Sequence, residues 1–337
     1  MTVIFNDKVP SNFYLRKKLL IYGGFSMGRL EKARELLQRA GLPGSDELVP
    51  STKTFPDGAH YRMEISGVER PSTLEALIEE SDKRNMPIHR LISVVMGATL
   101  LDDKELKDFA QMAADARMEV ILTPGPRALW DIGRQIVTPE GALSGLRFRG
   151  AEGMAQYLAD MLRAIDLGFR GFLCIDEGMM MTLNKLKELG EIPKDIKFKI
   201  SIFAGHASPA GGKLLESLGA DTFNPTGDLD LPKLCSIRRA VDFPIDIHVM
   251  LTRSFGGYNR LYETPDFAKY VSPVYFKIEP GDSIGGLYAP WVSPDLLAFF
   301  AREKVKYCEF IHDLIQDTYP DLKMSGRGTS DLAIPQP

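Results

Sequence analysis

From residue 61 onward, short apolar runs alternate with stretches whose apolar positions recur at three- and four-residue spacing. The first pattern is that of a buried strand and the second that of an amphipathic helix. Strands are predicted at 61–66, 90–96, 119–123, 171–176, 196–204, 221–224, 245–251 and 274–279. Helices are predicted at 73–85, 103–117, 154–167, 179–189, 210–218, 231–241 and 265–270, with a long last one at 294–318. Regular strand–helix alternation implies a parallel sheet, and eight units imply closure into a (β/α)8 TIM barrel. The rival architecture is an open doubly wound sheet. It lacks its usual support, because no GxGxxG follows the first strand.

Three segments follow from this reading. Residues 1–58 form an N-terminal extension expected to pack on the barrel. It carries a helix at 25–40, stopped by Gly41-Leu42-Pro43. Residues 59–320 form the barrel, with a turn at 138–141 in a longer loop. Residues 321–337 form an irregular C-terminal tail.

Side chains along a strand alternate between two faces. Where a strand alternates, its apolar set belongs against the helices and its polar set in the lumen. By this rule Arg62, Glu64 and Ser66 point inward from the first strand, and Lys199 and Ser201 from the fifth. Asp246 and His248 do so from the seventh, and Tyr275, Lys277 and Glu279 from the eighth. The fourth strand places Asp176 in register with Phe172 and Cys174, and the sixth places Asn224 in register with Thr222. Burying an unpaired charge costs several kcal/mol, so such groups must pair or bind something. Low positions such as Arg62 and Lys199 are accounted for by internal pairing, for example Lys199 with Asp246. Groups at the C-terminal strand ends open onto the face where barrels carry their sites.

The candidates are therefore rim residues. Glu64, Asp176, His206, His248 and Lys277 are the expected catalytic groups. Ser66, Arg127, Glu177, Ser208, Asn224, Arg253 and Glu279 are the expected substrate contacts. Arg127 can clamp a carboxylate with two parallel hydrogen bonds, and Arg253 beside Gly256-Gly257 suits an anion. Glu177 and Ser208 read equally well as helix-start residues. Glu64, Asp176, His206 and His248 form an N/O donor set that suits one divalent metal ion. The same residues can run metal-free acid/base chemistry, with Lys277 as a base or electrophile. His60, His89 and His312 lie away from the rim and read as structural, as do Met179, Met180 and Met181 at a helix start.

Composition narrows the partners. A net charge of −4 argues against nucleic acid. No apolar run reaches membrane-spanning length. Cys174, Cys235 and Cys308 form no CxxC pair, so no iron–sulfur cluster is expected, and a reducing, cytoplasmic location is. No nucleotide cofactor is expected. A small-molecule substrate is, and the extension, last helix and tail suit a homo-oligomer.

Residues 205–249 resemble the peptidase U32 family of barrel proteins. The resemblance rests on a helix ending in Leu218-Gly219-Ala220, a short strand through Asn224, and the helix start Asp228-Leu229-Asp230-Leu231. An apolar strand carrying Asp246 and His248 completes it. It implies a hydrolase, although members are not uniformly proteases. Well-known members hold cysteine-bound iron–sulfur clusters, which this chain's scattered cysteines do not match. No catalytic motif maps residue by residue. The expected function is a barrel enzyme on a small polar or anionic substrate, either a U32-like hydrolase or a lyase/aldolase or isomerase/epimerase. A non-catalytic small-molecule binder is the other reading.

Overall fold

Eight parallel strands close on themselves in chain order, β1 pairing with both β2 and β8. They are β1 (Tyr61–Ser66), β2 (Arg90–Ser93), β3 (Glu119–Leu122), β4 (Gly171–Cys174), β5 (Lys197–Ile200), β6 (Thr222–Phe223), β7 (Ile245–Met250) and β8 (Val274–Ile278). This computed structural model describes residues 28–95, 97–125, 146–289 and 291–337. Arg127, Met96 and the 138–141 turn lie outside the described residues. The chain divides into two units, at residue 45. In the first, α1 (Arg29–Arg39) ends where Gly41 takes φ +79°, and the Leu42 amide bonds the Leu37 carbonyl. That left-handed glycine is the helix stop read from the sequence.

In the second unit each strand feeds a helix: α2 (Pro71–Lys83), α3 (Asp103–Asp115), α4 (Gly150–Asp166), α5 (Glu177–Leu189), α6 (Pro209–Ser217), α7 (Leu231–Ala240), α8 (Thr264–Val271) and α9 (Pro294–Thr318). Local chemistry starts several of them. Asp102 and Glu105 form a reciprocal capping box on α3, and prolines open α2, α6 and α9. Ile65, Leu91, Val120, Phe172, Phe198, Phe223, Ile247 and Phe276 all join the core between sheet and helices. Among the described residues, no helix is long and apolar enough to cross a membrane.

Two strands stop earlier than their apolar runs suggest. β2 ends because Val94 adopts φ 52°, a left-handed conformation that cannot continue a strand. β5 gives way to a 3₁₀ turn at Ile202–Ala204, with the Ser201 hydroxyl accepting the Phe203 amide at 3.2 Å. Apolar character specified burial here, while the Val94 backbone and the Ser201 cap decided where the strands stop.

β4 corrects one expectation about faces. It is apolar on both sides, so alternation could not orient it. Leu173 lies in register with Lys199 and clusters in the lumen with Ile92 and Ile121. Phe172 and Cys174 therefore face the helices, the opposite of the expected parity.

The N-terminal end of the barrel is closed by segments from both sides. Phe55 stacks edge-on against Tyr275, with centroids 5.2 Å apart, and the Arg62 guanidinium lies 3.9 Å over the Phe55 ring. The tail crosses the same end. Arg62 donates to both oxygens of Asp331 at 2.8 and 2.9 Å, to Thr329 at 2.9 Å and to Ser325 at 2.8 Å. His89 bonds the Ser325 carbonyl at 2.9 Å, and the Ala333 amide donates to Glu119 at 3.1 Å. His89 is thus structural, as expected, and so is His312, 2.8 Å from the Tyr61 hydroxyl. The irregular tail is a tied strap, because almost every donor of the buried Arg62 is satisfied by it. Asp331→Ala leaves that guanidinium without its bidentate partner and should cost about 2–3 kcal/mol, read as a lower urea midpoint at unchanged slope. Burial raises the Asp331 pKa, but Arg62 outweighs it and lowers it overall. The pair's stabilisation should therefore be full above the unfolded carboxylate value and fade as pH falls through the lower folded one.

Candidate functional site at the carboxyl ends of the strands

Strands in a closed barrel tilt against its axis, so a row of residues in register climbs the wall. One such row runs His248–Lys277–Glu64–Arg90–Glu119 across β7, β8, β1, β2 and β3. It descends from the C-terminal rim to the floor, and every member is buried. In the lower half Arg90 donates to Glu119 at 2.5 Å, Asp246 at 3.0 Å and Glu64 at 3.2 Å. Its guanidinium also stacks 3.5 Å from the Tyr275 ring. Lys199 bonds Glu64 at 3.0 Å and contacts Asp246, which also accepts from Thr222 at 3.0 Å. The Lys199–Asp246 pair is the one expected from the sequence. Burial pushes the Glu64 carboxyl up, but Lys199, Lys277 and Arg90 outweigh it and hold it at about 2. Glu64 is a fixed anion of the network.

Arg90 and Glu119 escaped the sequence reading. Each is the first residue of its strand, where a charge reads as a loop residue. Strand pairing brings them in: Arg90 is in register with Glu64, and Glu119 with Arg90. Beneath them lies a cavity of about 300 Å³ at the N-terminal end, reaching Arg90, Lys199 and Asp331. Its charged walls are already paired, Lys197 with Asp221 at 2.9 Å among them.

The upper end of the row is organised differently. Lys277 lies 3.3 Å from Glu279 and 4.0 Å from Glu64. His248 Nε2 lies 3.2 Å from Glu279 Oε2. The Asn224 amide nitrogen faces the Asp246 carbonyl at 2.9 Å and His248 Nδ1 at 3.3 Å. An amide nitrogen can only donate, so Nδ1 accepts and Nε2 carries the proton toward Glu279. Burial, then Lys277, lowers the His248 pKa to about 4, so the ring is neutral at pH 7. Burial raises Glu279, but Lys277, His248 and the Tyr288 hydroxyl hold it well below the usual carboxylate range. Asn224 Oδ1 and Glu64 Oε1 are buried without a hydrogen-bond partner among the described residues, and so are the hydroxyls of Thr123 and Thr252. Asn224, Thr123 and Thr252 lie just past the ends of β6, β3 and β7, and Glu64 lies within β1. Each unmet valence costs about 1–3 kcal/mol unless something fills it. A void of about 10 Å³ adjoins His248, between it, Gly227 and Arg260.

The other expected residues sit elsewhere. Asp176 is the N-cap of α5, accepting the Met179 amide at 3.0 Å, which follows from the reversed parity of β4. Met179 and Met180 are buried behind it and Met181 is exposed. Ser208 caps α6, accepting the Gly211 amide at 3.2 Å. Glu177 pairs with Arg147 (3.1 Å to Nη2) and contacts His206 Nε2. Burial would raise Glu177, but hydrogen bonds from its own amide, His206 and Arg147 lower it. The His206 ring packs so close to the start of α6 that a Cβ on Gly211 would lie 2.6 Å from Nδ1. Arg253 is exposed, and its amide donates to the Gly281 carbonyl at 2.8 Å, as Ser254 does to Asp282 at 3.1 Å. Those loop amides are consumed in tying two loops together. Glu64, Asp176, His206 and His248 do not converge, and among the described residues no three His, Cys, Asp or Glu side chains are placed to hold a metal. The expected donor set therefore does not fit one ion.

Tyr288 and Lys304 were not expected. Leu287 and Tyr288, on the segment after β8, pack over Ile92, Val95, Ile121 and Leu173. Lys304 interrupts the buried stripe Leu297, Ala301, Val305, Cys308, Ile311, Ile315 of α9, a lysine where helical periodicity calls for an apolar residue.

A histidine buried neutral lends stability that pH can remove. His248 and His89 both have pKa values lowered by burial, to about 4, against about 6.5 when unfolded. Between those values the unfolded chain binds protons that the folded one does not. Stability should fall as pH drops from 6.5 toward 4, and His248→Gln and His89→Gln should each flatten that slope in urea titrations at pH 7 and pH 5.

No protein-family model and no curated protein matches this chain. Solved barrel structures do match it. The U32 peptidase Mk0906 is 14% identical at a TM-score of 0.40, over 68% of this chain and 96% of that one. The D-psicose 3-epimerase of Clostridium cellulolyticum H10 is 11% identical at 0.44, over 74% and 99%. The orotidine 5′-monophosphate decarboxylase of Methanocaldococcus jannaschii is 10% identical at 0.41, over 72% and 98%. These likenesses transfer no residue role: the chain is a (β/α)8 barrel by its own strand order.

Proposed function

We propose that this protein is an enzyme that moves protons on a small, polar, anionic substrate, with lyase or isomerase chemistry, at the carboxyl ends of β1, β6, β7 and β8. The observation that carries this is the buried Asn224–His248–Glu279–Lys277 cluster beside the unfilled oxygens Asn224 Oδ1 and Glu64 Oε1. Lys277 is a buried ammonium at the rim, suited to a substrate carboxylate or a developing enolate oxygen. His248 is a neutral imidazole whose tautomer is set by Asn224 and Glu279. Its pKa of about 4 keeps the basic form populated at pH 7, so it takes a proton only in the transition state and releases it readily. Glu279 and Glu64 stay ionised and hold the Lys277 ammonium and the His248 imidazole in place.

Hydrolysis is less well supported. It needs an activated nucleophile or water. The buried thiols of Cys174 and Cys308 have pKa values raised by burial, that of Cys174 to about 12. The rim carboxylates are held low, where they make poor general acids.

Proton abstraction leaves a signature that needs no knowledge of the product. A panel of 2-oxo acids, hydroxy acids and sugar phosphates, incubated with the protein in D₂O, should show loss of a substrate C–H signal by proton NMR. Lys277→Met, His248→Ala and Glu279→Gln should each slow that exchange roughly 100-fold or more. Exchange indifferent to all three substitutions would sink the proposal. So would cleavage of a peptide panel that depends on the same three residues with no C–H exchange.

A further inference from the structure

Among the described residues, the buried lysines of this barrel are paired, with one exception. Lys199 and Lys277 each have a carboxylate within 4.0 Å. Lys304 is 1% exposed, yet among the described residues no carboxylate lies within that distance of its Nζ. Its hydrogen-bond partner is the Ser66 carbonyl, at 2.6 Å. A buried ammonium with one neutral acceptor keeps two N–H directions unfilled, at a cost that the neutral amine escapes.

The side chain reaches this position by a built route. α9 lies on the outer layer, so Lys304 must pass inward beside the end of β1 to meet Ser66. Gly67 makes the passage, at φ +75°: a Cβ there would lie 3.0 Å from Nζ and 3.3 Å from the Tyr288 ring. The groups facing the amine are Glu69 from the loop after β1, Lys277 and Glu279 from β8 and its end, and Tyr288. The amine thus stands beside the cluster described above.

We propose that Lys304 is a nucleophilic amine of this site, condensing with the carbonyl group of a small aldehyde or keto-acid substrate to form an imine. This rests on the proposed function only in placing the substrate at the same rim. In the step, the nitrogen lone pair bonds the carbonyl carbon. The nitrogen gives up its two hydrogens, which leave with the carbonyl oxygen as water, and a C=N bond remains. Once protonated, that imine draws electrons from the adjacent C–H, the bond whose proton a neighbouring base would take. Burial is the main influence lowering the Lys304 pKa, to about 8, so about a tenth is free amine at pH 7 and about half at pH 8, far more than for an ordinary lysine.

Reductive trapping tests this on the intact full-length protein. Pyruvate or glyoxylate is added with cyanoborohydride, which delivers hydride to the imine carbon, and adducts are located by peptide mass spectrometry from pH 6.5 to 9. Lys304 should be labelled, with a midpoint near pH 8 and roughly ten-fold ahead of exposed Lys104 at that pH. Labelling confined to Lys277 or to surface lysines, with Lys304 unmodified by both probes yet modified in urea, overturns the inference. Lys304→Met and Lys304→Arg check assignment. If neither folds, wild-type labelling still decides. The D₂O exchange assay reports separately, so a labelled Lys304 without C–H exchange would refute the proton-transfer reading and leave the amine's reactivity standing.

Discussion

The Arg90 guanidinium is the interaction on which the barrel interior depends. It reaches carboxylates on β1, β3 and β7 and the aromatic face of Tyr275 on β8. Removing one such ion from water costs several kcal/mol, and the cost is recovered only when nearly all its valences are met. Here one cation meets them by touching five strands, the fifth being β6 through the Thr222 hydroxyl at 3.3 Å. The strands must close in this register for the charges to cancel: a slip of one residue on β2 would send Arg90 into the helix layer, leave Glu119 without its cation and leave Glu64 and Asp246 to share Lys199. Apolar packing between sheet and helices drives collapse, and the ionic lumen selects the register.

That network also divides the lumen into a lower and an upper half. Below it, the tail and the segment around Phe55 close the N-terminal end, with Arg62 satisfied by residues far away in the chain. The cavity there has walls whose charges already have partners. Above it, the balance is incomplete. Glu64 spends one oxygen on Arg90 and Lys199 and leaves the other unbonded, toward Lys277. Polar groups with unmet valences, Glu64 Oε1 and Asn224 Oδ1 among them, sit toward the upper end of the row.

Much of the fold was legible because its signals are local. Strand–helix alternation, the Gly41 stop and the helix-opening prolines depend on neighbours within a few residues. Faces were legible where strands alternate, so Glu64, Lys199, Asp246, His248, Lys277 and Glu279 were placed inward correctly. Where a strand is apolar on both sides the rule is silent, and Asp176 was consequently placed at the rim when it caps α5. Ser208 belongs to the same class, since a helix-start residue and a ligand-binding serine look alike in sequence.

By itself, then, the sequence determined the architecture, the inward set on the alternating strands and the pairing of Lys199 with Asp246. These follow from periodicity and from the cost of burying charge, both written residue by residue. Only the tertiary structure decided how that polar set is shared out. Arg90 and Glu119 joined it through register, Arg62 was claimed by the tail, His206 was drawn to Glu177 and away from His248, and Lys304 was brought from an outer helix to the rim. Each of those outcomes is a contact between residues distant in the chain, set by strand tilt and loop path, which no local pattern records.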